Sequence, residues 1–156
     1  MLIVSALQFT TMDPNGFQVF IRRWQPESAA HCAVITSGAQ WKQTFAPAAV
    51  AYGNKPFAPP PDWWKTHAAL VVARSTYSAE DKVLQIQSVR NHRGALIVSY
   101  EFRRPPRASS TMNAWIGVAV DKPLPSSVVF VENGNRVCRR RRYFSDAEPW
   151  QRPRRA

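Results

Sequence analysis

Three histidines, two cysteines and ten carboxylates are the side chains of this 156-residue chain best suited to chemistry. Their spacing forms no familiar reactive arrangement. Cys32 and Cys138 can form one disulfide or none, and two thiols alone do not make a zinc site. No Cys or His pair stands at a ligand spacing such as C-x-x-C or H-E-x-x-H. The carboxylates are scattered, with no local pair for acid–base work. A G-x-S-x-G elbow, a Gly-rich phosphate loop and a P-loop lysine motif are all missing from the sequence. The pattern therefore points to no catalytic residue, no metal ligand and no cofactor. His67 is the histidine best placed to act as a base, after Trp63 and Trp64 and before an apolar run. Its simpler reading is a hydrogen-bonded histidine at the start of a strand. His31 and His92 read as solvent-facing, and Cys32 as a core thiol rather than a nucleophile. Ser109-Ser110-Thr111 reads as a polar connector, because no base lies beside it.

Binding chemistry is easier to find. Pro59-Pro60-Pro61-Asp62-Trp63-Trp64 combines a preformed extended segment with two large aromatic rings, which favours docking at low entropic cost. Pro60, Pro61, Trp63 and Trp64 are the candidate partner surface; the alternative is a loop covering a sheet edge. The second candidate is electrostatic. The formal net charge is +11, but from Arg136 onward eight arginines against Asp146 and Glu148 hold +6, leaving +5 for residues 1–135. Arg139, Arg140, Arg141, Arg142, Arg152, Arg154 and Arg155 form an Arg-rich tail suited to weak, salt-dependent polyanion or nucleic-acid binding. Phe20-Ile21-Arg22-Arg23-Trp24 and Tyr100-Glu101-Phe102-Arg103-Arg104 interleave aromatics with arginine, but their rings fall on the inward stripe of predicted strands.

The elements that must carry these residues are short and mostly strands. Thirteen prolines predict many turns and few long helices. Residues 2–9 read as a first strand: the stretch is too short to span a membrane and lacks the basic start of a signal peptide. No other stretch approaches a transmembrane helix. Asp13-Pro14-Asn15-Gly16 is a turn. Residues 17–24 fit either a strand, through Phe17, Val19 and Ile21, or a helical face, through Phe17, Phe20 and Trp24. After a strand at 32–36, Ser37 and Gln40 form a capping box for a short helix near 38–46, with Trp41 and Phe45 on one face and Pro47 closing it. Residues 57–62 should be extended, residues 62–67 a loop or a single helical turn, and residues 68–74 a central strand. Residues 82–89 and 95–102 form a hairpin through Asn91-His92-Arg93-Gly94. A strand at 113–120 puts Ala114, Ile116, Val118 and Val120 on one face and Trp115 on the other. Residues 127–131 and 135–137 pair through Asn133-Gly134, a type I′ signal. Beyond Cys138 the pattern stops, and the arginines read as disordered.

The fold class is mainly β: an antiparallel sandwich or curled open sheet of about eight short strands. Residues 1–138 form one domain and residues 139–156 a tail. Parallel crossovers are not expected, because they need helices this chain does not supply.

The strand at Ala69–Arg74, the hairpin from Val83 to Phe102 with its Gly94 turn, and the strands around Asn113–Val131 together resemble the C-terminal domain of PrcB-type protease-complex proteins. Val34-Ile35-Thr36-Ser37 and Trp41 are similar to the strand and Trp-bearing helix that lead into it. The resemblance covers roughly residues 30–132. It implies a noncatalytic bacterial domain, exported to the periplasm or outside the cell, that binds and stabilises a partner protease, and it transfers no catalytic residue. The chain departs from that family in showing no signal peptide or lipoprotein cysteine and in its Arg-rich tail.

Overall fold

The structure, a computed structural model, describes residues 9–22, 30–48, 55–77, 83–109 and 111–141. The elements run β1 (Thr10–Met12), β2 (Val19–Ile21), β3 (His31–Ile35), α1 (Gly38–Thr44), β4 (Phe45–Pro47), α2 (Trp63–Thr66), β5 (His67–Thr76), β6 (Leu84–His92), β7 (Ala95–Phe102), β8 (Met112–Asp121), β9 (Ser127–Glu132) and β10 (Asn135–Arg141). Two four-stranded sheets, ordered β1-β8-β5-β3 and β10-β9-β7-β6, pack as a sandwich, and β2 and β4 form a separate pair. The strand expected at 2–9 lies outside the described residues, apart from Phe9. Among the described residues no helix is long and apolar enough to cross a membrane.

The apolar run at the centre of the chain forms the central strand because both of its faces are covered. Ala68, Leu70 and Val72 of β5 enter the core between the sheets, with Ile116, Val118 and Val120 of β8, Leu96, Val98 and Tyr100 of β7, and Phe130 of β9. Ala69, Val71 and Ala73 enter a second core on the outer side of the first sheet, with Trp41, Phe45, Trp64 and Trp115. A strand buried on both faces needs apolar residues at every position, which removes the usual alternation. On β8 the alternation survives as expected, with Trp115 opposite the other stripe. On β2, Ile21 is buried and Phe20 is 52% exposed, so Val19–Ile21 take the strand alternative, while residues 23 and 24 lie outside the described residues.

Local signals place α1 correctly at its start and too far at its end. Gln40 N–H donates to Ser37 Oγ at 3.2 Å, while Gln40 Oε1 accepts from Thr36 N–H at 2.7 Å, one residue before the usual capping-box donor. The helix stops at Thr44 rather than near 46, and Phe45 turns extended to begin β4. Tertiary contacts end it: the Arg22 guanidinium donates Nε–H to the carbonyls of Lys42 and Phe45, and Arg22 N–H donates to Thr44. These satisfy carbonyls that a longer helix would have used itself. The proline segment departs from a continuous extended run. It bends at Phe57 and Ala58 and turns at Pro61 and Asp62, where Trp63 N–H donates to the Pro60 carbonyl.

The first hairpin is tighter than its sequence suggests. Strands β6 and β7 run to His92 and from Ala95, leaving the two-residue loop Arg93-Gly94 with φ of 49° and 75°. Asn133 and Gly134 repeat this geometry at 49° and 83°, the positive values a type I′ turn needs. Asn133 does more than turn: its side-chain amide exchanges two 3.0 Å hydrogen bonds with the Phe102 backbone, binding the turn to β7.

Two expectations about topology are corrected. Strands β7 and β9 are parallel, in register from Ala95 with Ser127 to Tyr100 with Glu132. No helix makes the crossover; β8, which belongs to the opposite sheet, does so. The arginines after Cys138 are not a tail at once. Arg139, Arg140 and Arg141 pair with Val129, Val128 and Ser127 and extend β10, because ladder hydrogen bonding to β9 outweighs their poor strand propensity. Arg142, Arg152, Arg154 and Arg155 lie outside the described residues.

At the sandwich edge where β3 meets β10, Cys32 and Cys138 are joined in a disulfide, with Cα atoms 6.4 Å apart. Arg140 points inward here and donates to the Cys32 carbonyl at 3.1 and 3.2 Å. His31 is half-buried beside it, rather than solvent-facing. Burial, then the charge of Arg140, hold its imidazole below the ordinary value of 6.5. As the pH falls through 6.5 the unfolded chain takes up a proton that folded His31 declines. Stability should therefore drop on acidification until the depressed folded value is passed. Melting temperatures between about pH 8 and pH 5 should fall more steeply for the wild type than for His31→Asn; parallel curves would remove His31 as the cause.

Candidate functional site

Among the described residues a groove lies at the β1 edge of the first sheet, on the side away from the second sheet. It is open and encloses about 430 Å³. Thr10, Thr11 and Met12 of β1, with Ala119 of β8 beside them, form one side; Pro56, Ala58, Pro59 and Pro60 form the other, with Phe17 and the Trp63 ring between. This lining is almost wholly apolar, as ligand-binding concavities usually are.

Each wall is held from behind by the second core. The fully buried Trp41 packs against Phe45 with ring centroids 4.4 Å apart, Phe17 at 5.2 Å and Trp64 at 5.9 Å. Its indole N–H donates to the Phe57 carbonyl at 2.8 Å, and Gln18 N–H donates to the Pro56 carbonyl, so the proline wall is pinned at two points. Trp63 stacks flat on His67, 5.0 Å between centroids and 14° between planes, and meets Trp64 edge-on. Gly38 stands where a Cβ would come within 3.4 Å of the Trp64 ring.

The structure divides the candidate partner surface in two. Pro60 and Trp63 line the groove. Pro61 is exposed but not part of its lining, and Trp64 is only 7% exposed and belongs to the core. Adjacent aromatic residues at the start of a helical turn point about 100° apart, so only one of the two can face outward. Phe17 and the β1 residues were not singled out in the sequence, because only the fold brings them to the proline loop.

His67 sits behind this groove, not in it. Its Nδ1 lies 2.8 Å from Thr66 Oγ1 and 3.2 Å from the Trp63 carbonyl, and its Nε2 lies 3.4 Å from Asp121 Oδ1. A hydroxyl, an imidazole and a carboxylate thus stand in sequence, as in a nucleophilic triad. The arrangement does not fit the role. The Trp63 carbonyl can only accept, so it favours a proton on Nδ1, and a protonated Nδ1 cannot take one from Thr66. The Asp121 side chain is 84% exposed, so water competes for it. These contacts instead fasten α2 to the start of β5. Among the described residues no three His, Cys, Asp or Glu side chains gather to hold a metal ion.

One further polar group crosses the inter-sheet core. Arg74 of β5 makes a two-point salt bridge with Glu132 of β9, donating Nε–H to Oε2 at 2.8 Å and a second N–H to Oε1, and lies over the Phe102 ring at 4.6 Å. The Tyr100 hydroxyl donates to Glu132 Oε2 at 2.9 Å. Burial and the neighbouring carboxylate push the Tyr100 phenol well above its ordinary range, keeping it a donor.

No family model, no curated protein and no solved structure matches this chain.

Proposed function

We propose that this chain is a noncatalytic binding module that takes an extended, apolar segment of a partner protein into the groove beside β1. The observation that carries the reading is the position of the groove: an apolar channel with a half-buried aromatic anchor, Trp63, runs along a short strand at the edge of a sheet. An incoming chain can add to that edge through its backbone and place alternate side chains in the channel. The wall opposite β1 is built largely of prolines, with Trp63 beside it, and these residues lose little conformational freedom when a ligand orders them. The PrcB-type resemblance of residues 30–132 supports a partner protease. The disulfide supports folding in an oxidising compartment, the setting in which such bonds persist.

Selection of short peptides from a random library on the immobilised chain tests this. Enrichment of segments with alternating apolar residues is expected. Trp63→Ala should weaken the selected peptides roughly thirtyfold or more, as for a central aromatic anchor. Pro60→Ser, which leaves the His67 stack intact, should weaken them by a smaller factor. Selected peptides that bind Trp63→Ala and Pro60→Ser as tightly as the wild type would sink the reading.

A further inference from the structure

We infer that the outer face of the second sheet is a docking surface for an anionic lipid bilayer. The inference is independent of the groove, which lies on the opposite side of the sandwich. The register assigns each residue to its side. Val128 and Phe130 of β9 and Leu96 and Val98 of β7 enter the core, so Val129, Val131 and Ile97 between them face outward. Arg136 pairs with Val131, Arg139 with Val129 and Arg141 with Ser127, so these three arginines share that outer face. Across the sheet, Arg90 of β6 pairs with Ile97 and faces the same way. Arg93 is exposed at the adjoining turn. Among the described residues, the most extensive contacts these four strands make beyond their own sheet are with β8 and β3, on the inner side.

The result is a plane with two positive borders and an apolar centre. With strands about 4.8 Å apart, Arg139 and Arg90 stand roughly 14 Å apart, and Arg139 and Arg141 roughly 7 Å apart along β10. None of the five arginines makes a salt bridge among the described residues. Glu101, the carboxylate at the far end of β7, is already bound to Arg103 at 2.7 Å and adds no net charge. Four arginines on one face and Arg93 at its adjoining turn, without carboxylate partners among the described residues, form a binding surface for anions.

The arrangement of the apolar centre selects the class of polyanion. A headgroup layer offers phosphate to the borders and interfacial hydrocarbon to Ile97, Val129 and Val131 together. A nucleic-acid backbone would lay charge over that apolar strip. Single-stranded nucleic acid would also want a platform of aromatic side chains on which to stack its bases, and the outward positions of these strands hold no Phe, Tyr or Trp, only His92 at the end of β6. The disulfide adds that the chain folds where nucleic acid is not the common polyanion. Docking by this face is peripheral, through arginines at the headgroups.

Co-sedimentation of the full chain with vesicles tests the assignment, using phosphatidylcholine alone and with about one-third phosphatidylglycerol. Binding is expected only to the anionic vesicles and should fall steeply with salt. Arg90→Gln/Arg139→Gln/Arg141→Gln should weaken it roughly a hundredfold, about fivefold per arginine. Arg139→Gln alone, a milder change at an exposed site, should give about a fivefold loss even if the triple variant folds poorly. Replacing Arg142, Arg152, Arg154 and Arg155 by Gln should cost less than the triple sheet variant. Equal binding to both vesicle types, a loss confined to the variant beyond Arg141, or a tighter complex with duplex or single-stranded DNA than with vesicles at the same salt would each overturn it.

Discussion

Replacing Cys32 and Cys138 together by alanine is expected to lower the free energy of unfolding by about 3–5 kcal/mol. The two residues are 106 apart in sequence, so the bond closes a loop that holds most of the described chain. Cross-linking so long a loop removes many conformations from the unfolded ensemble. The bond also ties an edge strand of the first sheet to an edge strand of the second. Alanine is the better replacement because Cys32 is 1% exposed, and serine would add a buried hydroxyl. Urea unfolding of the wild type, with and without reductant, separates the cross-link from the packing of the sulfur atoms. A loss below about 1 kcal/mol in both comparisons would show that β10 is held by its ladder and by Arg140 alone. With a typical domain stability of about 5–15 kcal/mol, the expected loss is large enough to unfold a marginal protein.

The second large effect concerns Arg74 and Glu132. Either Arg74→Ala or Glu132→Ala should destabilise the fold by about 3–5 kcal/mol, because each leaves a charge in the core without its partner. Their side chains are only 14% and 9% exposed, so water cannot take over the lost contact. Glu132→Ala would also strand the Tyr100 hydroxyl, which donates to the same carboxylate. Arg74→Met/Glu132→Leu should recover most of the loss and end near the wild type, since no charge is then buried. Chemical denaturation of the four proteins gives the coupling energy directly. Additive losses in the double variant would mean that the two side chains do not act as a pair.

The two proposed surfaces have a joint consequence. The groove lies on the outer side of the first sheet and the arginine plane on the outer side of the second. A chain docked through its arginines would hold its groove away from the bilayer, open to a partner. The sandwich sets this orientation, since each sheet has one face committed to the shared core.

Much of the β architecture was legible in the sequence because its signals are local. Alternation of apolar and polar residues along a strand reflects the two-residue period of the backbone, and it placed β7 and β8 with their faces correctly assigned. Asn133-Gly134 specifies its turn through the positive φ it tolerates. Ser37 and Gln40 mark the start of α1 through hydrogen bonds that reach no further than four residues. What the local signals missed depends on partners far along the chain. Composition made Arg139–Arg141 read as disordered, yet β9 offers them a ladder. Trp63 and Trp64 are identical as residues, and only the core behind α2 decides which is buried. The disulfide, the Arg74–Glu132 pair and the parallel run of β7 beside β9 join positions tens of residues apart, and so do Phe17, Thr11 and Pro60 in the groove. Backbone sterics and side-chain periodicity act over a few residues and are written in the chain. Which distant segments meet is decided by the burial gained when two sheets close on one another, and that is a property of the assembled fold.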